Sequence, residues 1–324
     1  MDLFSRKLLF YLDADARINI STLAKKMRCS PQRVHYTIQQ LEKRNTICGY
    51  TTVFNYRTFG LNGYYIFFQA VYKTKDEYQI LISYLKGQPE VVWIESIQGL
   101  WDLGVLILAS NPSAFNAIFR RIMTEKTKML KKYFIVTIIA IYAYDRDYLM
   151  PKIIAPKDFS ILGGDSGALK LERNLMKISE QLLLSPDSTL KSLAKKTGLS
   201  FPTIVKGIKK LKCDQVITGF KPILNVETLH ICSKHVMVSF SNFDAVLEEK
   251  LTSFCKNHPN IITLIRCFGR WDLILEFESL TEEEFRNFIF LLREKFEDII
   301  DEYDVFPILK REKLQFLPTN VFSH

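Results

Sequence analysis

Leu23-Ala24-Lys25-Lys26 returns later in the chain as Leu193-Ala194-Lys195-Lys196, and Gly99, Trp101, Asp102 and Leu103 return as Gly269, Trp271, Asp272 and Leu273. Between these anchors Ser30, Ile38, Leu41, Ile47, Gly49, Asn55 and Pro89 match Ser200, Ile208, Leu211, Ile217, Gly219, Asn225 and Pro259. Every pair is 170 positions apart, so the register runs on without a gap. So long a period is a tandem duplication of one folding unit and not a solenoid repeat. Whatever the unit folds into, the chain of 324 residues must hold it twice. Gly163-Gly164-Asp165-Ser166-Gly167 marks the seam, with the composition of a linker.

Each unit opens with helices. Leu8, Leu9 and Leu12, then Ile20, Leu23, Ala24 and Met27, fall at helical spacing. Ser30-Pro31 supplies an N-cap followed by proline at the first helical position. Val34, Ile38 and Leu41 then form one apolar stripe, and Gln32, Arg33, His35, Tyr36, Gln39 and Lys43 lie off it. Two short helices joined by a tight turn, the second with a polar and basic free face, describe a helix-turn-helix. The second copy turns at Gly198–Ser200 and carries Ile204, Ile208 and Leu211 as its stripe. A strand follows each, from Thr46 and from Val216. The remainder of each unit reads β-α-β-β-α-β, the ferredoxin-like order. The expected class is therefore α+β, two winged-helix/helix-turn-helix modules alternating with two ferredoxin-like βαββαβ domains. The expected division is 1–62 and 170–230 for the helix-turn-helix modules, 63–150 and 231–324 for the βαββαβ domains, and 151–169 for the linker.

This layout resembles the Lrp/AsnC (feast/famine) transcription regulators. The likeness is carried by LDADARINISTLAKKMRCSPQRVHYTIQQLEKRNTICGY and GLWDL, and by LKSLAKKTGLSFPTIVKGIKKLKCDQVITGF and GRWDL in the second copy. The family's ordinary chain is one such unit. The resemblance implies a sequence-specific regulator that binds double-stranded DNA and takes a small effector such as an amino acid. It also implies βαββαβ domains that pair, here as an intramolecular pseudo-dimer open to further homo-oligomerisation. One departure is at Asn45 and Asp214, where the family ends its recognition helix with glycine. Proteins of the same layout include the sirohaem decarboxylases of haem biosynthesis, so that enzyme class is the alternative reading, together with a non-specific DNA-compacting protein.

Charge bears on the choice. The net charge is +9, with +6 in residues 1–62 and +6 in 170–230, against +3 in 63–160 and −5 in 231–324. Positive charge concentrated in both helix-turn-helix modules is the footprint of phosphate contact. The DNA-facing candidates are Ser30, Gln32, Arg33, His35, Tyr36, Gln39 and Lys43, with Ser200, Thr203, Lys206, Lys209 and Lys210 in the second module. Gly99, Trp101, Asp102, Gly269, Trp271 and Asp272 are effector candidates by the family likeness; a hairpin turn with structural glycine and tryptophan is the favoured reading.

Other chemistry is sparse. His230, Cys232 and His235 are the one dense group of metal-ligand types, but on an extended segment 235 leaves the face shared by 230 and 232. No GxGxxG, P-loop, HExxH or GxSxG motif occurs, so no cofactor, metal or catalytic residue is expected. The longest apolar run, Phe134–Tyr144, is too short to span a bilayer. Six cysteines without a CxxC pair and an N-terminus unlike a signal peptide give a cytoplasmic expectation.

Overall fold

The computed structural model describes residues 1–150, 159–241 and 244–322. The first unit consists of α1 (Leu3–Ala14), α2 (Ile20–Met27), α3 (Pro31–Lys43), β1 (Ile47–Phe54), β2 (Asn62–Ala70), α4 (Lys75–Lys86), β3 (Val91–Ile97), β4 (Leu103–Ala109), α5 (Pro112–Glu125) and β5 (Leu130–Tyr144). After β6 (Phe159–Gly163) the second unit follows: α6 (Arg173–Leu184), α7 (Leu190–Thr197), α8 (Phe201–Cys213), β7 (Ile217–Leu224), β8 (Cys232–Phe240), α9 (Ala245–Asn257), β9 (Ile261–Phe268), β10 (Leu273–Ser279), α10 (Glu282–Phe296) and β11 (Ile300–Leu314). Every element of the second unit begins 170 residues after its counterpart. Position i of one unit is thus structurally equivalent to position i+170 of the other.

Alternation along β2 explains how the units meet. Tyr64, Ile66 and Phe68 point to one face and pack with Leu81, Leu85, Phe115 and Ile118 of α4 and α5. Tyr65 and Phe67 point to the opposite face, into a core shared with Met237, Ile265 and Ile274 of the second unit. With both faces buried, the strand reads as an almost unbroken apolar run. The sheets then join edge to edge. β5 pairs with β2 over Leu130–Ile138 and with β9 over Thr137–Ala143. Its counterpart β11 pairs with β8 over Ile300–Pro307 and with β3 over Ile308–Leu314. The ring β2-β4-β3-β11-β8-β10-β9-β5 closes through β5–β2, so neither unit keeps its own open edges. A separate ribbon, β1 antiparallel to β7, ties the two helix-turn-helix modules together.

Two details correct the sequence reading. The glycine-rich seam is not free chain: β6 pairs with the end of β5, and the Gly163 N–H donates to Asn55 Oδ1 at 3.0 Å. Gly163 sits at φ +92°, where a Cβ would lie 2.5 Å from the Tyr56 hydroxyl, so glycine serves close packing there. Residues 151–158 of the expected linker lie outside the described residues. The second correction concerns the end of α8. The left-handed residue is Gln215, at φ +55°, the equivalent of Asn45 at φ +55°, while Asp214 is at φ −80°. The pairing of Asn45 with Asp214 was one residue out of register.

Candidate functional site

The recognition helices are held by their caps and buried stripes. At α3, the Ser30 Oγ accepts the Arg33 backbone N–H at 3.3 Å and Pro31 takes the first turn. Val34 and Leu41 are buried, whereas Gln32, Arg33, His35, Tyr36, Gln39 and Lys43 are exposed. The Arg33 guanidinium lies 4.1 Å from the Phe4 ring centroid, which steadies it at the start of the helix. His35, although exposed, lines a groove with Arg17, Tyr50 and Phe220 between the two modules.

At α8, the Ser200 Oγ accepts the Thr203 backbone N–H at 3.3 Å and meets the Thr203 hydroxyl at 2.7 Å. Ile204, Gly207 and Leu211 are buried. Gly207 has a packing reason, since a methyl group there would run into Ile178 of α6. Lys206 and Lys209 are exposed and form no salt bridge among the described residues, whereas Lys210 pairs with Asp214 at 3.1 Å. The Gly-Trp-Asp turns are built alike. Gly99 and Gly269 have positive φ, and Trp101 and Trp271 are buried. Asp102 Oδ2 accepts the Ala70 N–H, and Asp272 Oδ2 accepts the Phe240 N–H, both at 2.8 Å. Asp102 and Asp272 therefore tie each hairpin turn to the end of the neighbouring strand, β2 or β8.

His230, Cys232 and His235 are not brought together. The Cys232 thiol donates to Glu282 Oε1 of α10 at 3.2 Å, whereas His235 points into the core between the units. There it belongs to a buried ionic network that composition and spacing did not reveal. His235 Nε2 lies 2.7 Å from Glu95 Oε2, which also accepts the Tyr65 hydroxyl at 2.5 Å. Asp13 accepts from the Arg146 guanidinium at 2.5 Å, from the Arg146 backbone N–H at 3.0 Å and from Lys221 at 3.1 Å. Arg146 also donates to both oxygens of Glu278, at 2.7 and 3.2 Å. Arg311 pairs with Glu276 and reaches Glu278 at 3.2 Å.

Each charge in this network has an uncharged equivalent in the other unit. Asp13 corresponds to Leu183, Glu95 to Ile265, Arg146 to Phe316, Lys221 to Thr51, His235 to Tyr65, Glu276 to Leu106, Glu278 to Leu108 and Arg311 to Ile141. A comparison of the two copies position by position is the signal that would have found it. Tyr65 and His235 are equivalent positions, and their polar atoms meet at 3.3 Å, so the approximate two-fold axis passes between them.

The carboxylates titrate accordingly. Burial raises the Glu95 pKa, but His235, Arg311 and the Tyr65 hydroxyl more than offset this and bring it to about 2. Burial opposes ionisation of Asp13 as well, and Lys221 and Arg146 overcome it, so that its pKa too is lowered. A carboxylate with a depressed pKa in the folded state stabilises above its unfolded value, and this stabilisation is lost as the pH falls towards the folded value. Urea midpoints are therefore expected to drop as the pH is lowered from about 4.5 towards 2. Glu95→Gln should flatten that slope. An equally steep slope in the variant would show that Glu95 does not contribute to it.

Residues 1–47 match the winged helix-turn-helix DNA-binding family. An uncharacterised HTH-type transcriptional regulator of Pyrococcus horikoshii is 31% identical over 136 residues, 40% of this chain and 85% of the relative. Among solved structures, siroheme decarboxylase NirDL superposes with a TM-score of 0.58 at 11% identity, covering 99% of this chain and 96% of that one. Its complex with an iron-uroporphyrin III analogue gives the same values. At that identity the likeness shows the duplicated fold alone. Fold, repeat and relatives together define a helix-turn-helix protein of the DNA-binding regulator class. More particularly, the chain belongs with the HTH-type transcriptional regulators that this Pyrococcus relative represents, as a tandem duplication of one helix-turn-helix and βαββαβ unit. Among the described residues, no helix is long and apolar enough to cross a membrane.

Proposed function

We propose that this chain is a sequence-specific transcription regulator of the Lrp/AsnC type, acting on double-stranded DNA in the cytoplasm through both recognition helices. The observation that carries this reading is the exposed polar and basic face on α3 and α8, in modules that each carry a net charge of +6. The β1–β7 ribbon holds both modules on one frame, so they engage one duplex as a pair. The faces differ, with Gln, Arg, His and Tyr on α3 and lysines on α8, so the target has one well-defined half-site and one loose one. The decarboxylase reading rests on fold alone.

Selection from randomised duplexes at stated salt tests the proposal. The expected result is an enriched asymmetric site whose affinity falls steeply with salt. Uniform binding of all sequences would point to DNA compaction, and absence of salt-sensitive binding would overturn the DNA reading altogether.

A further inference from the structure

α8 turns two large apolar side chains to solvent. Phe201 is 52% exposed and Val205 42%. They stand four residues apart and so share one face of the helix. Pro202 lies exposed beside them. Neither Phe201 nor Val205 belongs to the core of the fold, which α8 enters through Ile204, Ile208 and Leu211. The equivalents of Phe201, Pro202 and Val205 in α3 are Pro31, Gln32 and His35. Two of these three positions carry hydrogen-bonding side chains in the first module, and none does in the second. Thr203 keeps a hydroxyl, but it meets the Ser200 Oγ at 2.7 Å and is engaged by the cap. Residues 201–205 therefore offer a duplex apolar surface and no free hydrogen-bonding side chain.

The cations of α8 come later, at Lys206, Lys209, Lys210 and Lys212. Lys209 extends the line of Phe201 and Val205 by a further four residues, so one face runs from apolar to basic. A recognition helix in the major groove turns its N-terminal residues to the base edges, and flanking cations fix it on the phosphates. In that pose Phe201 and Val205 meet bases while Lys206 and Lys209 meet the backbone. Thymine alone among the four bases shows an apolar group there, its C5-methyl; every other feature of the edge is a donor or an acceptor. An apolar side chain laid on a donor or acceptor strips it of water and leaves it unpaired, which costs free energy. Laid on a methyl group, it removes apolar surface from water and gains free energy.

We propose, resting on the DNA reading above, that α8 selects thymine by its C5-methyl groups, with Phe201 and Val205 as the specificity-determining side chains. A methyl contact grades affinity without fixing a base pair, so the half-site under α8 stays loose yet rich in T·A pairs. The two modules then read DNA by different means, hydrogen bonds from α3 and apolar contact from α8.

The test is fluorescence anisotropy of the full chain on the selected duplex, with each thymine of the α8 half replaced in turn by deoxyuridine. That half is the one whose base preference survives Arg33→Ala. The replacement removes the methyl group and leaves the base pairing, the hydrogen-bonding edge and the phosphates as they were. Each contacted methyl removed should weaken binding about fourfold at an unchanged salt slope. In the double variant Phe201→Ala, Val205→Ala, thymine and deoxyuridine duplexes should bind alike. Both positions are exposed and alanine favours helix, so the variant keeps its fold. Salt-sensitive, sequence-selective binding that does not distinguish thymine from deoxyuridine would overturn the methyl reading and leave the DNA reading standing. A deoxyuridine penalty that persists in the double variant would assign the contact to other side chains and overturn it as well. A double variant that binds every duplex as the parent chain does would mean that the apolar pair faces a protein and not DNA. Absence of salt-sensitive binding to any duplex would overturn both readings.

Discussion

Arg146→Met is expected to destabilise the fold by about 3–5 kcal/mol, measured by urea unfolding at neutral pH. The substitution removes the one group that bonds both Asp13 and Glu278, and both carboxylates are then buried without their main partner. Asp13 retains Lys221 and Glu278 retains the Tyr148 hydroxyl, at 2.7 Å, so the loss should stop short of complete unfolding. The second unit shows what an apolar version looks like, with Leu183 and Phe316 in place of Asp13 and Arg146, and the first shows Leu108 in place of Glu278. The triple change Asp13→Leu, Arg146→Phe, Glu278→Leu should therefore recover most of the loss, because exchanging a buried ion triad for packed apolar side chains is neutral to stabilising by about 1–4 kcal/mol, while Lys221 keeps Asp145 and Arg311 keeps Glu276 and Glu95. A triple variant as unstable as Arg146→Met would mean that shape, and not charge pairing, sets the penalty.

Why the network is confined to one side follows from the duplication. In a dimer of identical chains, a charge introduced near the axis appears twice at close quarters, and like charges in a low-dielectric core repel strongly. Once the units are joined, Glu95 can face Arg311 and His235 while the equivalent positions, Ile265, Ile141 and Tyr65, stay uncharged. The β11–β3 pairing places Arg311 directly opposite Glu95, and its equivalent β5–β9 pairing places Ile141 opposite Ile265. One charge pair is thus made once, not twice.

The elements themselves were readable from sequence because their cues are local. Caps such as Ser30 and Ser200, apolar stripes such as Val34, Ile38 and Leu41, and the short apolar runs of β3 and β4 are set by neighbouring residues. What escaped was non-local. β5 runs over Leu130–Tyr144 and so begins before the apolar run that starts at Phe134, because it serves two partner strands in succession and pairing sustains it past its most apolar stretch. The glycines near 163 read as flexible because nothing in their neighbourhood announces the contacts with Asn55 and Tyr56. Glu95, Arg146, His235, Glu278 and Arg311 sit far apart in the chain, and only the joining of two sheets brings them together.

The two recognition helices should respond differently to substitution. Arg33 stands in the first turn of α3, exposed and steadied over the Phe4 ring, where a planar guanidinium can pair both acceptors of a guanine edge. Arg33→Lys should keep most non-specific affinity but lose discrimination at one base pair, and Arg33→Ala should cost about 1–3 kcal/mol on the preferred site. Phe4→Leu, which removes the ring but not the charge, should give a smaller loss with the same base preference. On α8, Lys210 is tied to Asp214, so phosphate contacts are expected from Lys206 and Lys209. Lys209→Ala should weaken all duplexes about equally and reduce the slope of log affinity against log salt by about one. Fluorescence anisotropy over a salt series, on the selected site and on versions mutated one base pair at a time, separates these outcomes. If Lys209→Ala relaxed base preference as much as Arg33→Ala does, α8 would be reading bases too, and the target would carry two defined half-sites.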